Sequence, residues 1–286
     1  MAVYKRSYRP YSGETTPVWS RFLVLYRFSR RNLFRSKVQT VFFVICLFFP
    51  LLCLLGIYAN SHLNAITFLS RSTGPFLDVN GRFFSIYLDV QAAFAFLLTA
   101  FIGPGLVSPD LANGALTLYL CRPLSRTEYV LGKISVLFIT LSWMTWVPGL
   151  VLFFVQASIS GWQWMWDNLW IAGAIVLGSL VWIAVLSLAA LALSAWVRWR
   201  IVAGALLLGL FFFGAGFGRA INAVLRTQQG YLIDLSQLVS IIWHDLFRDA
   251  GEPPLSVSEA WIALLAFTSF CLYLLMRKIR ANEVVR

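Results

Sequence analysis

Charged residues are scarce in this chain, and their scarcity excludes an ordinary soluble fold. They make up 12% of the 286 residues, whereas 59% are hydrophobic and the mean hydropathy is +0.76. A soluble domain carries roughly 25% charged residues, which solvate its surface. The composition therefore predicts a protein that keeps much of its surface in lipid.

Histidine and cysteine are also rare, which argues against metal sites, disulfides and the common catalytic centres. His62 and His244 each stand alone, and the four cysteines show no CxxC spacing. No Ser/His/Asp or Cys/His arrangement for nucleophilic catalysis is visible. Gly132-Lys133 lacks both the earlier glycine and the directly following Ser or Thr of a phosphate-binding P-loop. We therefore expect no enzyme activity, no metal and no cofactor in this chain.

Long apolar runs are what the chain does have. A helix needs about 20 apolar residues to cross the hydrocarbon core of a bilayer. Six runs are long enough: 38–59, 87–107, 130–158, 168–197, 201–218 and 258–277. The predicted fold class is thus an all-α membrane protein with six transmembrane helices. Gly214 and Gly218 form a GxxxG pair near the end of the fifth run, where close helix packing and a frayed helix end are equal alternatives.

The spacing of basic residues predicts the orientation. With both termini inside, 18 of the 23 Lys and Arg residues lie on the inner side and 5 on the outer side. Basic residues favour the cytoplasmic side of a membrane. We therefore expect an integral protein of the cytoplasmic (inner) membrane with both termini in the cytoplasm. This pattern also accounts for the net charge of +11, so no nucleic-acid partner is expected.

Residues 1–37 are predicted to form a cytoplasmic tail followed by an amphipathic helix in the membrane interface, ahead of a six-helix transmembrane domain over 38–286. Four arginines share one face of this helix: Arg27, Arg30, Arg31 and Arg35. The opposite face carries Val18, Phe22, Leu25, Ser29 and Leu33. The alternative is an ordinary basic flank that only sets topology.

The spacing of apolar and polar residues in the external segment 219–256 predicts short re-entrant or interfacial helices before helix six. Its apolar residues are spaced for one helical face: Leu235, Leu238, Val239, Ile242 and Leu246. Its polar residues fall away from that face: Asp234, Gln237, Asp245 and Arg248. Ser256 and Glu259 have the spacing of a capping box that opens the sixth span.

Ionisable groups are missing from the middle of the apolar runs, which weakens the hypothesis of an ion-coupled carrier. Asp89 comes closest, and we interpret it as a boundary residue. Lys133 lies near the cytoplasmic end of the third run, where its ammonium group is expected to extend to the interface.

The polar segment 108–128 between the second and third runs is patterned differently from the rest. We expect Asp110 at the N-terminal end of a short helix over 110–120, ended by Pro123. Ser125 and Glu128 have the spacing of a capping box that opens the third span. One interpretation is that these residues only stop one helix and start the next.

A second interpretation comes from the order of the residues. Asp110 is followed by Gly114-Ala-Leu-Thr, then by Leu120-Cys-Arg-Pro-Leu-Ser-Arg126, and then by Gly132-Lys133. This order resembles the cytoplasmic loop between helices two and three of ABC transporter type-2 permeases. Asp110 stands where Glu is usual in that family, and Ala115 stands where Thr is usual.

The resemblance implies the membrane-spanning permease subunit of an ATP-driven ABC exporter. Such subunits work as homodimers or heterodimers with two separate ATPase subunits, which hold ATP and Mg. The residues implied in coupling to the ATPase are Asp110, Gly114, Arg122, Pro123, Ser125, Arg126, Glu128 and Lys133, with Arg27, Arg30, Arg31 and Arg35. The alternatives are a non-transporting scaffold or sensor subunit and, less favoured, an ion-coupled secondary transporter.

Overall fold

The computed structural model of the protein describes residues 20–33, 37–65, 79–115, 125–249 and 254–278, which contain helices and no strand. The α-helices in these ranges are α1 (Arg21–Leu33), α2 (Lys37–Ala65), α3 (Gly81–Ile102), α4 (Pro104–Ala112), α5 (Arg126–Ser142), α6 (Trp146–Ser160), α7 (Trp162–Asp167), α8 (Leu169–Trp196), α9 (Arg200–Leu225), α10 (Leu235–Leu246) and α11 (Val257–Lys278). A 3₁₀ turn, Gln229–Leu232, precedes α10.

Six segments of the described chain are long and apolar enough to cross a membrane, as predicted. They are α2, α3 with α4, α5 with α6, α8, α9 and α11. The second span begins at Gly81 rather than at residue 87, because the Asn80 side chain accepts a hydrogen bond from Phe83 N at 3.2 Å and starts the helix. The fifth span is also longer than predicted and continues to Leu225.

Helix α8 is the centre of the bundle and packs against α3, α4, α5, α6, α9, α10 and α11. Small buried residues on α8, among them Ala174, Gly178 and Ala190, let neighbouring helices approach closely. Trp243 of α10 lies against Gly178 and donates its indole N–H to the Gly178 carbonyl at 3.0 Å. Within a bilayer the hydrophobic effect does not drive helices together, so close packing around small residues holds the bundle together.

Two glycines of α9 are packed closely, which decides between the two alternatives for the GxxxG pair. A methyl group on Gly218 would lie 2.6 Å from the Gly230 carbonyl oxygen. On Gly214 it would lie 3.1 Å from the Ile233 carbonyl oxygen. Both glycines are inside α9 rather than at a frayed end, and they admit the backbone of the segment that leads into α10.

We predict that Gly218→Ala lowers the free energy of unfolding by about 1–3 kcal/mol, because its methyl group would overlap a backbone carbonyl. Gly216→Ala is the matched control in the same helix, since a methyl group there meets nothing within 4 Å. Thermal unfolding of the two purified variants measures the difference. Equal melting temperatures would contradict the close packing.

Helix α10 buries the apolar face that was predicted, including Leu235, Leu238, Val239 and Ile242. Asp234, predicted to lie away from this face, is the N-cap of α10 and is buried. Its carboxylate accepts hydrogen bonds from Ser236 N and Gln237 N. The sixth-span capping box is present, with Ser256 Oγ accepting from Glu259 N and Glu259 accepting from Ser256 N.

The sequence suggested that His244 stands alone, but in the structure it contacts Asp249. Its Nδ1 lies 3.2 Å from a carboxylate oxygen of Asp249, beyond the end of α10. Both side chains are exposed, so this contact is a surface interaction of small energetic weight.

Candidate functional site

The candidate site is built where α4 ends and α5 begins, on either side of residues 116–124. Two of the predicted coupling residues in this region, Arg122 and Pro123, lie outside the described residues, as does Arg35 after α1. Helix α4 ends at Ala112, and Gly114 follows with φ of +65°, a conformation that favours glycine. Gly114 therefore has a backbone reason to be glycine.

Asp110 lies in the last turn of α4, so the expectation that it begins a helix over 110–120 was wrong. A carboxylate at a helix C-terminus meets the negative end of the helix dipole. Here that repulsion is offset by a cation, because Lys133 Nζ of α5 lies 2.8 Å from Asp110 Oδ2. Tyr129, one turn before Lys133, donates its hydroxyl to the same oxygen at 2.8 Å.

The Asp110–Lys133 pair is shielded from solvent. The Lys133 side chain is 7% exposed and that of Asp110 is 17% exposed. Lys133 therefore does not extend to the interface as expected, because its ammonium group is held over the Tyr129 ring by Asp110. A pair buried this far resists screening by salt and ties α4 to α5.

The start of α5 is capped as predicted. Ser125 Oγ accepts a hydrogen bond from Glu128 N at 3.2 Å, and the Glu128 carboxylate accepts one from Ser125 N at 2.6 Å. These two bonds satisfy backbone donors that a helix N-terminus leaves free. Arg126 is exposed beside this cap, and no ion pair joins it to the described residues.

The N-terminal helix α1 packs against α5. Leu25 and Ser29 are buried in this contact, as the predicted face required. Arg27, Arg30 and Arg31 are exposed. The helix that carries Arg27, Arg30 and Arg31 therefore packs against the helix that carries Arg126, Glu128 and Lys133.

A serine pair that sequence reasoning missed anchors α4 to the end of α8. Ser108 Oγ donates to the Val197 carbonyl at 2.7 Å, and Ser194 Oγ donates to the Pro104 carbonyl at 3.0 Å. The Ser108 N–H in turn donates to Ser194 Oγ at 2.9 Å. Helix α4 is thus bonded to α5 at one end and to α8 along its length.

Gln91 of α3 makes a second connection that was missed. Its side-chain NH₂ donates to the Cys46 carbonyl at 3.2 Å and to the Met144 carbonyl at 2.5 Å. Each carbonyl lies four residues before a proline, Pro50 in α2 and Pro148 in the first turn of α6. Pro50 lies inside α2 and has no N–H, so the Cys46 carbonyl lacks its usual helical donor. Met144 lies in the break between α5 and α6, so its carbonyl is not part of a helical ladder. Gln91 supplies a donor to both carbonyls and joins α3 to α2 and to this break.

The third span is broken at the same point. Helix α5 ends at Ser142 and α6 begins at Trp146, a break that the sequence reading did not predict. Tyr87, one turn before Gln91, donates its hydroxyl to the Thr145 carbonyl at 2.9 Å. Prolines inside two apolar runs and a lone glutamine in a third are the signal that could have indicated this junction.

A cavity of about 640 Å³ opens beside α3, α9 and α10. Its walls combine aromatic rings, such as Phe96 and Trp182, with Asp89 and Arg219. Trp182 is oriented by a hydrogen bond from its indole N–H to the Ala92 carbonyl at 3.1 Å. We call this the outer cavity, because the distribution of basic residues predicts that it lies towards the outer side.

Within the described ranges, no three His, Cys, Asp or Glu side chains are grouped so that they could hold a metal ion. The polar clusters found here bind helices to one another.

Comparison with known families identifies a relationship over most of the chain. A family model described as ABC-2 family transporter protein matches residues 25–245. No curated protein matches the chain. The matched region runs from α1 through α10 and includes the α4–α5 junction and the outer cavity.

Proposed function

Since the chain belongs to the ABC-2 transporter family and is the permease subunit of an ABC transporter, we propose that it couples ATP hydrolysis by separate ATPase subunits to export. The observation that carries this proposal is the family match across the α4–α5 junction. In the proposal, ATP and Mg are bound by the partner, and this chain contributes the membrane path. The permeases assemble as a homodimer or heterodimer in the cytoplasmic membrane, with both termini in the cytoplasm.

The coupling step is proposed to begin at residues 113–128. An ATPase that changes conformation would push on the loop and on Arg126 at the start of α5. The Asp110–Lys133 pair and the Ser108–Ser194 bonds support transfer of that movement to α4, α5 and α8, because they bond these helices to one another. The result would be two alternative packings of the bundle, the usual basis of alternating access.

The outer cavity is proposed to contact the cargo. Its aromatic wall and its three charged residues, Asp89, Arg219 and Asp234, suit a cargo with both apolar and charged groups. A carboxylate in a membrane-spanning helix marks a functional site more often than a structural one.

We predict that Arg126→Glu weakens association with the ATPase subunit at least tenfold, since exposed arginines are frequent hot spots of protein interfaces. Arg226→Glu is the matched control, because Arg226 is likewise exposed and follows the end of α9 that is farthest from Arg200, which contacts the Phe101 carbonyl near α4. The measurement is co-purification of a tagged permease with its ATPase in mild detergent, followed by ATPase activity in proteoliposomes.

Protease accessibility of the termini checks that both variants insert correctly. Full ATPase association and activity in a correctly inserted Arg126→Glu variant would refute docking at the start of α5. Absence of any ATPase with the unchanged protein would refute the coupling proposal as a whole.

A further inference from the structure

A groove runs between α2 on one side and α5 and α6 on the other, and α1 closes one end of it. Its volume is about 600 Å³, within the range of roughly 300–1,000 Å³ typical of small-molecule sites. Leu47 and Leu54 of α2 line one wall, and Ile139 and Val147 line the other. We call this the lateral groove.

The lateral groove is open to the side. Leu51 on one wall is 55% exposed and Val151 on the other is 51% exposed. Both residues belong to membrane-spanning segments, so the phase outside the groove is lipid. A groove with nearly all-apolar walls in that position is accessible to hydrocarbon chains rather than to water.

The length of the groove matches one leaflet. Its lining on α2 runs from Phe43 to Leu54. At 1.5 Å per residue, these eleven steps span about 16 Å. Half of a hydrocarbon core of roughly 30 Å is about 15 Å. One acyl chain of the leaflet next to α1 can therefore lie along the whole groove.

Arg30 provides a cation at the end where a headgroup would lie. It lines the groove together with Tyr26, whose hydroxyl accepts a hydrogen bond from the Arg30 guanidinium at 3.5 Å. None of the residues lining the groove is acidic. A guanidinium presents a planar set of N–H donors that matches a phosphate group.

We propose that the lateral groove binds an anionic phospholipid, with an acyl chain between α2 and α5–α6 and its phosphate on Arg30. Arg30 lines the groove, whereas Arg27, also exposed on the same helix, does not. Pro50 of α2 and Pro148 of α6 line the groove as well. A bound lipid would therefore bias the packing of α1 and α2 against α5 and α6.

This proposal rests on the membrane placement of the chain and is independent of export. The test uses the full chain in nanodiscs that contain equal amounts of phosphatidylglycerol and phosphatidylcholine. Native mass spectrometry of the released protein then counts the lipids of each kind that stay bound. We expect phosphatidylglycerol to be enriched over its share of the bilayer.

Variants of the arginines distinguish lipid binding at Arg30 from a general attraction of anionic lipids to the basic helix α1. Arg30→Gln should lower the enrichment about fivefold, the equivalent of one basic residue at a membrane surface. Arg27→Gln should change it less than twofold, and Arg30→Lys should keep at least half of it. Equal effects of Arg30→Gln and Arg27→Gln would overturn the proposal, as would equal retention of the two lipids by the unchanged protein.

A pair of tryptophan variants tests the groove itself. Leu51→Trp fills it, whereas Leu55→Trp places the same ring on an exposed position of α2 that does not line it. We expect loss of the bound phosphatidylglycerol only in Leu51→Trp. The proposal is overturned if both variants retain the lipid equally. It is also overturned if Leu51→Trp abolishes a dimer, since the groove would then hold a second copy of the chain.

Discussion

Asp110→Leu is expected to lower the free energy of unfolding by about 3–5 kcal/mol, because it leaves the buried Lys133 ammonium without its counter-charge. Lys133→Met should cost less, since Asp110 is more exposed and keeps its hydrogen bond from Tyr129. The double variant should recover most of the loss, because replacing both members of a buried pair by apolar side chains is often close to neutral.

Thermal unfolding monitored by the fluorescence of the 12 tryptophans measures these changes. For Asp110→Leu we expect a melting temperature lower by roughly 10 °C. Asp167→Leu is the control, because Asp167 is exposed at the end of α7 and its replacement should have little effect. A double variant that is as unstable as Asp110→Leu would show that the pair does not act as a unit.

The second large effect is expected at Gln91. Gln91→Met keeps the size of the side chain but leaves the Cys46 and Met144 carbonyls without a donor, at a cost of about 1–3 kcal/mol for each. Pro50→Ala restores an N–H that can bond the Cys46 carbonyl within α2. The cost of Gln91→Met should therefore be smaller in a Pro50→Ala background, with a coupling energy of about 0.5–3 kcal/mol.

Melting temperatures of the four proteins in this cycle provide the measurement. Gln156→Met serves as the control, because Gln156 bonds only to the exposed Ser160 one turn later in α6. Strictly additive effects of Gln91→Met and Pro50→Ala would contradict the idea that the glutamine replaces a donor removed by the proline.

Much of the fold could be predicted because its signals are local. An apolar run of sufficient length has one stable form in lipid, a helix that satisfies its own backbone. Capping boxes depend on residues three apart, so both of them, at Ser125 and Ser256, were predicted correctly. The buried face of α10 followed from helical spacing for the same reason.

The connections between helices could not be predicted, because they depend on contacts between residues far apart in sequence. Considered alone, Asp110 fits the start of a helix and Lys133 fits a lysine that extends to the membrane interface. Only the return of α5 alongside α4 makes them a pair. Gln91 and the two prolines lie on three different helices, and no spacing rule relates them. The roles of these residues in coupling remain predictions that the experiments above test.

The capping of α5 has a consequence for the surface that is proposed to face an ATPase. The Glu128 carboxylate is bonded to the backbone of Ser125 at the positive end of the helix dipole, and the charges of Asp110 and Lys133 neutralise each other below it. Among the described residues at the start of α5, Arg126 is the exposed positive charge. A complementary surface should be acidic, so an ATPase that fits this permease is expected to carry Asp or Glu where it meets α5.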